Sequence, residues 1–530
     1  MRRLFGELGM AARYARRLPE YLRNPLTPGD CREMLKAQLA RREREFLRIL
    51  EMGVFQRRRS PYRALLTWAG VEFGDVERLT QAEGVEGTLQ QLYDAGVYIA
   101  LDEFKGRRPL VRKGLELPLR AEDFDNPLTR AVFTGRTGGS RGIPRRLLVD
   151  LDTLTHDAAC HWMFLEAFGI QERPMGVWRS VPPDNSGIKK NLHHAKLGKR
   201  VERWFTQRNP RWRGNFKYTA FLNYTLLAAR LCGRPLPAPE YTPLGEAEKV
   251  ARWLQQRAAS GAPAHLDTMA SSAVRVLHAA RERRLDISGT FFRTGSEPLT
   301  PRKAALAAEA GCRIACHYSM SELGTVGIAC ADAAEVDEVI VLTGKVALIE
   351  GATRPGTGST QVRPFCLTTL LTSCPKLMLN VETDDYGVAV RRRCGCPLGE
   401  LGFDLHVHTI RSYEKLTSEG TNFLGSELYT LLEQVLPAAF GGSPADYQLV
   451  EEEENGLPKV SLVVSPRVGE IDQGKVASTA LQFLSFRDAG NRLMANLWSE
   501  AKTLRVVRRE PFASSSSKVL PLHVLPRQRS

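Results

Sequence analysis

Between residues 61 and 410 the sequence keeps switching its hydrophobic period. Arg302 to Ala310 is an Ala-rich stretch with helical spacing, and Arg313 to Cys316 behind it is a short apolar strand. Glu338 to Leu342 and Lys345 to Ile349 read as two strands around Thr343-Gly344. Helical and strand patterns in alternation call for layers of helix on sheet, and so for an α/β fold. After about residue 410 the pattern restarts. Leu424 to Leu436 reads as a helix, Lys459 to Val464 as a strand stopped by Pro466, and Leu481 to Trp498 as a helix broken near Gly490. That makes a second, small unit of ordinary domain size.

The N-terminal residues predict two helices. Leu4, Leu8, Ala11, Ala15 and Leu18 make one stripe, and Pro19 should stop it. Asp30 with Glu33 reads as a capping box for a second stripe of Leu35, Leu39, Phe46 and Leu50, with Gly53 as its stop. The first stripe, flanked by Arg2, Arg3, Arg13, Arg16 and Arg17, suits either packing on its own protein or peripheral contact of residues 1–60 with a membrane surface. The expected organisation is a basic helical extension over 1–60, a large domain over 61–410 and a small one over 411–530.

The chain has 530 residues, 43% apolar and 25% charged, which excludes disorder, collagen and coiled coil as whole-chain readings. The nearest approach to a spanning segment, Thr219 to Cys232, is broken by Asn223 and Arg230, and no apolar signal core opens the chain. Ten cysteines are too sparse for a disulfide scaffold, so a cytoplasmic protein is expected. The net charge of +15 is concentrated in two stretches. Residues 1–60 hold 15 Lys and Arg against 7 Asp and Glu, and residues 171–217 hold 12 against 3. Such stretches meet phosphates, acidic proteins or anionic lipid, or are only solvated faces; no specific nucleic-acid partner is expected.

The segment richest in chemistry is Thr137-Gly138-Gly139-Ser140-Arg141-Gly142-Ile143-Pro144-Arg145, between strand-like Ala131–Thr134 and Leu147–Val149. Its glycines let backbone N–H groups approach phosphate oxygens, Thr137 and Ser140 add hydroxyl donors, and Arg141, Arg145 and Arg146 add charge. Neither the P-loop pattern nor the dinucleotide fingerprint fits. Gly138-Gly139-Ser140-Arg141-Gly142 does fit the nucleophile elbow of serine hydrolases, but that elbow needs a helix straight after the serine, and Pro144 and a β-like run follow.

This segment resembles the phosphate loop T-S-G-T-T-G-x-P-K of adenylate-forming enzymes, with Thr137, Gly139, Gly142 and Pro144 matching and Arg145 in place of lysine. Four further segments resemble that family in the same order. Thr294-Gly295-Ser296-Glu297-Pro298-Leu299 is similar to G-G-E-P-L, Tyr318-Ser319-Met320-Ser321-Glu322 to Y-G-x-T-E, and Thr383-Asp384-Asp385 to the T-G-D of Y-x-T-G-D. Arg411 to Leu416 resembles the hinge, and Ser517-Lys518-Val519 the terminal G-K-x. Ser60-Pro61-Tyr62-Arg63 and Cys394-Gly395-Cys396 are similar to the phenylacetate–CoA ligase branch.

The resemblance implies a large multi-layer adenylation domain with mixed sheets and a small mobile α+β domain. It implies ATP-dependent activation of a small carboxylic acid and transfer to a thiol, coenzyme A or a carrier protein, with an amine as another acceptor. It assigns Glu322 to Mg²⁺, Asp385 and Arg411 to the ribose, and Lys518 to the adenylation transition state. Nucleotide contacts would come from the loop, from Gly295, Ser296 and Glu297, and from Tyr318 and Ser321. Cys394 and Cys396 read as half of a zinc site, to which the resemblance adds Cys330; no fourth ligand is evident, Asp337 being only a guess, and buried or free thiols are the alternative. Departures at Arg141, Arg145, Val381, Asp384 and Ser517 keep a non-catalytic nucleotide-binding descendant in view. His193-His194, ahead of Lys196, Lys199 and Arg200, reads as surface.

Overall fold

A computed structural model describes residues 2–136, 146–209, 216–355, 361–412, 415–418, 421–424, 430–443, 446–454, 457–485, 495, 498–512 and 522–524. Twelve strands form one sheet. In chain order they are β1 (Met175–Trp178), β2 (Val201–Thr206), β3 (Pro239–Tyr241), β4 (His265–Met269), β5 (Phe291–Gly295), β6 (Arg313–Met320), β7 (Gly324–Ala329), β8 (Val339–Val341), β9 (Val346–Glu350), β10 (Pro364–Thr369), β11 (Val381–Arg391) and β12 (Leu405–Ser412). Across the sheet the order is β9-β10-β11-β12-β8-β7-β6-β5-β4-β1-β2-β3.

Every pairing from β6 to β3 is parallel, and every pairing from β6 to β9 is antiparallel. Parallel neighbours require crossover connections, and the helical stretches of the sequence supply them. Pro301–Glu309 is one, started by Pro301 and by the Thr300 hydroxyl, which accepts from the Lys303 N–H at 3.3 Å. β8 and β9, read as two strands around Thr343-Gly344, do not pair with each other: β8 lies between β7 and β12, and β9 pairs with β10. The intervening turn is pressed against the N-terminal helices, where a Cβ on Gly344 would lie 2.8 Å from the Leu39 N. The strands flanking the Gly-rich segment do pair, antiparallel, as Phe133–Arg136 with Arg146–Val149.

The N-terminal helices are α1 (Arg2–Arg23), α2 (Pro28–Ala40) and α3 (Arg42–Leu50). Pro19 does not stop α1 but lies inside it. The buried stripe also differs from the expected one. Ala11 and Ala15 are exposed, while Met10, Tyr14, Leu18, Tyr21 and Leu22 are buried. The amphipathic residues of tyrosine outweigh alanine because each ring removes more apolar surface from water. The capping box of α2 is Thr27 with Asp30, not Asp30 with Glu33. Gly53 does not terminate a helix either; it lies within the π-helical turn Glu51–Phe55, where a Cβ would strike Leu377 Cδ1 at 2.6 Å.

Helices α4 (Leu151–Ala167), α5 (Ser186–Lys196), α6 (Phe216–Leu231) and α7 (Ala270–Arg283) cover the parallel half of the sheet. α1 docks there: the Tyr21 hydroxyl donates to Leu192 O at 3.1 Å, and the Tyr14 hydroxyl lies 2.9 Å from Thr225 Oγ1. The two basic stretches of the sequence are thus neighbours in space. No helix among the described residues is long and apolar enough to cross a membrane.

A second sheet of four strands takes the order Leu504–Arg508, Leu457–Val464, Tyr447–Glu454 and Leu522–Val524. It has its own core of Leu431, Leu436, Tyr447, Leu462, Val476 and Trp498. Leu457 and Ala501 pack against the cluster that contains Val274 and Leu277 of α7. Helical turns among the described residues here include Leu431–Val435, Leu436–Phe440 and Gln473–Ser485; Leu424, the first residue of the helix read over 424–436, instead ends strand Thr421–Leu424, and 425–429 lie outside the described residues.

Candidate functional site

The C-terminal end of β6 carries Tyr318, and the turn Ser321–Leu323 that follows carries Ser321 and Glu322. β11 lies elsewhere in the sheet and carries Thr383 and Asp385. The fold brings the two segments together: the Tyr318 hydroxyl donates to Asp385 Oδ2 at 2.8 Å. Thr383 explains its own place in the pattern. Its hydroxyl donates to Phe365 O at 2.9 Å and accepts from the Asp385 N–H at 3.2 Å, which fixes the backbone that presents the carboxylate. Burial, with the charges of Asp385, Asp384 and Glu322 around it, pushes the Tyr318 hydroxyl well above the usual phenol range, so it stays a donor.

Glu322 is paired with Lys105, which follows the short helix Leu101–Phe104. Burial alone would raise the Glu322 carboxyl, but the Lys105 ammonium overrides it, and Lys376 assists from further away; the net result is about 2. Nothing in the sequence marked Lys105, because its partner lies 217 residues away in the chain. The same short helix borders a cavity of about 340 Å³ lined by Tyr98, Arg108, Arg112 and Arg354 among others.

Gly295, Ser296 and Glu297 close β5. A Cβ on Gly295 would meet His317 Cε1 at 2.4 Å, so only glycine fits. Ser296 has φ +71°, a left-handed conformation that a non-glycine residue adopts at a cost. Glu297 turns back to start α7, accepting from the Ser271 N–H at 2.7 Å and the Ser271 hydroxyl at 2.9 Å. Arg411, on β12 opposite Tyr386 of β11, places its guanidinium on Asp337 Oδ2 at 3.1 Å. Thr137, Gly138, Gly139, Ser140, Arg141, Gly142 and Arg145, and likewise Lys518, lie outside the described residues.

The cysteines behave as a group. Sulfur atoms of Cys330, Cys394 and Cys396 all lie within 4.8 Å of one another, and Cys394 Sγ is 3.2 Å from Cys396 Sγ. Hydrogen bonding from Cys330 above all, joined by the Gly399 amide, Cys394 and the Leu398 amide and opposed by burial, pulls the Cys396 thiol below the usual thiol range. The Cys330 thiol is pushed up by that same bond and by burial. The donor set of three sulfurs fits Zn²⁺. Asp337 does not complete it, since it is engaged by Arg411 and by the Thr409 N–H at 3.0 Å. The neighbouring donors are instead Glu338 and His406, which group with Cys330.

Under the Gly295-Ser296 turn lies a region the sequence did not mark. His193 and His194 are not surface residues; they are 4% and 3% exposed. The α5 helix turns that face inward, toward α4 and the strand ends. His161 of α4, His194 of α5 and His265 of β4 group their ring nitrogens within 4.8 Å, and His161 Nε2 is 2.6 Å from His194 Nε2. Beside them Asp267 accepts from Arg179 Nε at 2.8 Å, pairs with Arg293, and lies 3.7 Å from Lys190 Nζ. Burial and Arg293 push the Lys190 ammonium down to about 7. Burial likewise holds His193 and His265 near about 3 and His161, His194 and His317 well below the usual imidazole range.

No protein-family model and no curated protein matches the sequence. Solved structures do. The chain is similar to 2-hydroxyisobutyryl-CoA ligase in complex with 2-HIB-AMP and CoA in the thioesterification state, with a TM-score of 0.52 and 15% identity over 95% of this chain and 91% of that one. An open conformation of the same ligase matches with a TM-score of 0.42, 15% identity, and coverage of 94% and 93%. The anthranilate CoA ligase AuaEII with anthranoyl-AMP matches with a TM-score of 0.35, 13% identity, and coverage of 76% and 68%. At this identity the first of these likenesses speaks for the fold alone, which this chain shares with that ligase.

Proposed function

We propose that this chain, with the fold of the adenylate-forming enzymes, activates a carboxylic acid with ATP and passes the acyl group to a thiol, coenzyme A being the simplest. The observation that carries the reading is the Tyr318–Asp385 hydrogen bond with Glu322 beside it: segments far apart in the chain, each resembling a nucleotide-handling motif, meet at one end of the sheet. In the first step a carboxylate oxygen attacks the α-phosphorus, the bond to the bridging oxygen breaks, and pyrophosphate leaves. In the second the thiol sulfur attacks the acyl carbon, AMP departs, and the thiol proton is lost.

Asp385 would accept the ribose hydroxyls, with Tyr318 aligning its carboxylate, and the Gly295–Glu297 turn would face the nucleotide. The loop around Thr137–Arg145 and Lys518 would meet the charge that builds on the phosphates. Glu322, kept ionised, is a hard oxygen donor that suits Mg²⁺, and Lys105 must release it first. Bound Mg²⁺ neutralises and orients phosphate oxygens. Cys330, Cys394 and Cys396 would hold Zn²⁺ as a structural staple between β7 and the loop after β11. The small C-terminal unit over 411–530, turning at Arg411, would serve both steps. An acyl-carrier protein is the alternative thiol partner.

Carboxylate-dependent exchange of labelled pyrophosphate into ATP tests the reading. Exchange with at least one acid of a broad panel, falling about 100-fold or more in Glu322→Gln, is expected. Silence across the panel refutes it. A second reading, nucleotide binding without turnover, draws on the ion pair of Lys105 with Glu322; ATP binding by calorimetry with no exchange would establish it.

A further inference from the structure

The region beneath Gly295-Ser296 is unbalanced in two independent ways. Among the described residues, Arg179, Lys190 and Arg293 surround a single carboxylate, Asp267. The other carboxylate nearby, Asp157, is occupied by Lys345 at 2.6 Å. Arg179, Arg293 and Asp267 are 4%, 1% and 0% exposed and the Lys190 side chain is 12% exposed, so water solvates these charges little. Buried charges are ordinarily paired. Polar atoms are the second imbalance. Among the described residues, eight buried nitrogens have no hydrogen-bond partner: His161 Nδ1, both of His193, His194 Nδ1, both of His265, Arg293 Nε and His317 Nδ1. Buried polar groups without partners are rare enough that such a concentration calls for a ligand.

The region also touches the candidate adenylate site. Arg179 Nη1 donates to Ser296 Oγ at 3.3 Å, and the His317 ring lies directly against Gly295. We infer that this region is the acid-recognition site, and that the acid it selects carries a second anionic group, received by Lys190, Arg179 and Arg293 with the histidines as neutral hydrogen-bonding walls. The inference rests on the adenylating reading. A divalent cation on His161, His194 and His265 is the competing assignment, and the three cations alongside oppose it by charge.

The test compares succinate, glutarate, adipate and pimelate with their monomethyl esters in pyrophosphate exchange. At least one diacid should exceed its ester by about tenfold or more, because a site built for a charged group rejects the analogue lacking it. Lys190→Met should bring that ratio close to one, and Lys190→Arg should keep it. Esters that exchange as well as the diacids, or a ratio unchanged in Lys190→Met, overturn the inference while leaving the ligase reading intact. If no acid supports exchange, the ligase reading fails, and thermal unfolding with the same pairs in the presence of ATP decides the anion site. A diacid that raises the wild-type melting temperature but not that of Lys190→Met upholds it, and no shift overturns it. Zn²⁺ alone raising the melting temperature, with the effect lost in His265→Ala, makes the region a metal centre and also overturns it.

Discussion

The Tyr318–Glu322–Asp385 cluster and the Arg179–Lys190–Asp267–Arg293 cluster lie on the same sheet and are built from the same kinds of side chain, yet they balance charge differently. In the first, each carboxylate has its own partner: Asp385 the Tyr318 hydroxyl, and Glu322 the Lys105 ammonium. Its residues lie at a strand end and in a turn, partly open to water. In the second, Arg179, Arg293 and a half-buried Lys190 share one carboxylate among parallel strands and helices. A strand end can present an ionised group at little cost because water completes its shell. A strand interior cannot, so charge retained there is held for a partner or destabilises the fold.

The contrast can be broken most forcefully at Asp267. Asp267→Asn leaves the buried Arg179 and Arg293 and the half-buried Lys190 without a carboxylate and should cost about 3–5 kcal/mol in urea unfolding. A loss too small to measure would mean that water reaches the cluster and that the two regions do not differ. Glu322 sharpens the other side. Its carboxyl is lowered from 4.5 to about 2 in the fold, a difference of about 3 kcal/mol. That stabilisation is fully present above the unfolded value of 4.5 and is lost as pH falls through about 2. Unfolding titrations across this window should show a shallower acid limb in Glu322→Gln and in Lys105→Met than in the wild type; three coincident curves would dissociate the ion pair from stability. The smallest effect is expected at Tyr318→Phe, which removes one hydrogen bond to a charged acceptor and should cost about 1.5 kcal/mol. A cost as large as that at Asp267 would show that the open cluster is as tightly coupled as the buried one.

Legibility followed the same divide. Tyr318, Glu322 and Asp385 could be picked out as candidates because each lies in a short contiguous pattern, and contiguous patterns survive without knowledge of the fold. Lys105 was not, since no motif surrounds it and its role comes from a partner across the chain. The Cys394-Gly395-Cys396 run announced a thiol pair, and Cys330 joined it as expected, while Asp337 went to Arg411. His193-His194 misled because a doublet next to three basic residues looks solvated. The helix Ser186–Lys196 turns that face inward against α4 and β4, and nothing local to the doublet shows it. In α1 the error was one of weight: the expected stripe ran through Ala11 and Ala15, and the buried one runs through Tyr14 and Tyr21.

By itself, the order of residues determined that this chain layers helices on a sheet, since alternating periods leave few other ways to bury apolar faces. It also marked which short segments were candidates for a site, those around Tyr318–Glu322 and Thr383–Asp385 among them. Tertiary structure alone decided that the sheet changes from parallel to antiparallel at β6, that Lys105 neutralises Glu322, and that histidines and cations from α4, α5, β4, β5, β6 and the residue after β1 converge beneath Ser296. The physical reason is range. Periodicity and turn chemistry act over a few residues and are written locally, whereas the balance of charge in a buried volume depends on side chains that only the folded chain brings within a few ångströms of one another.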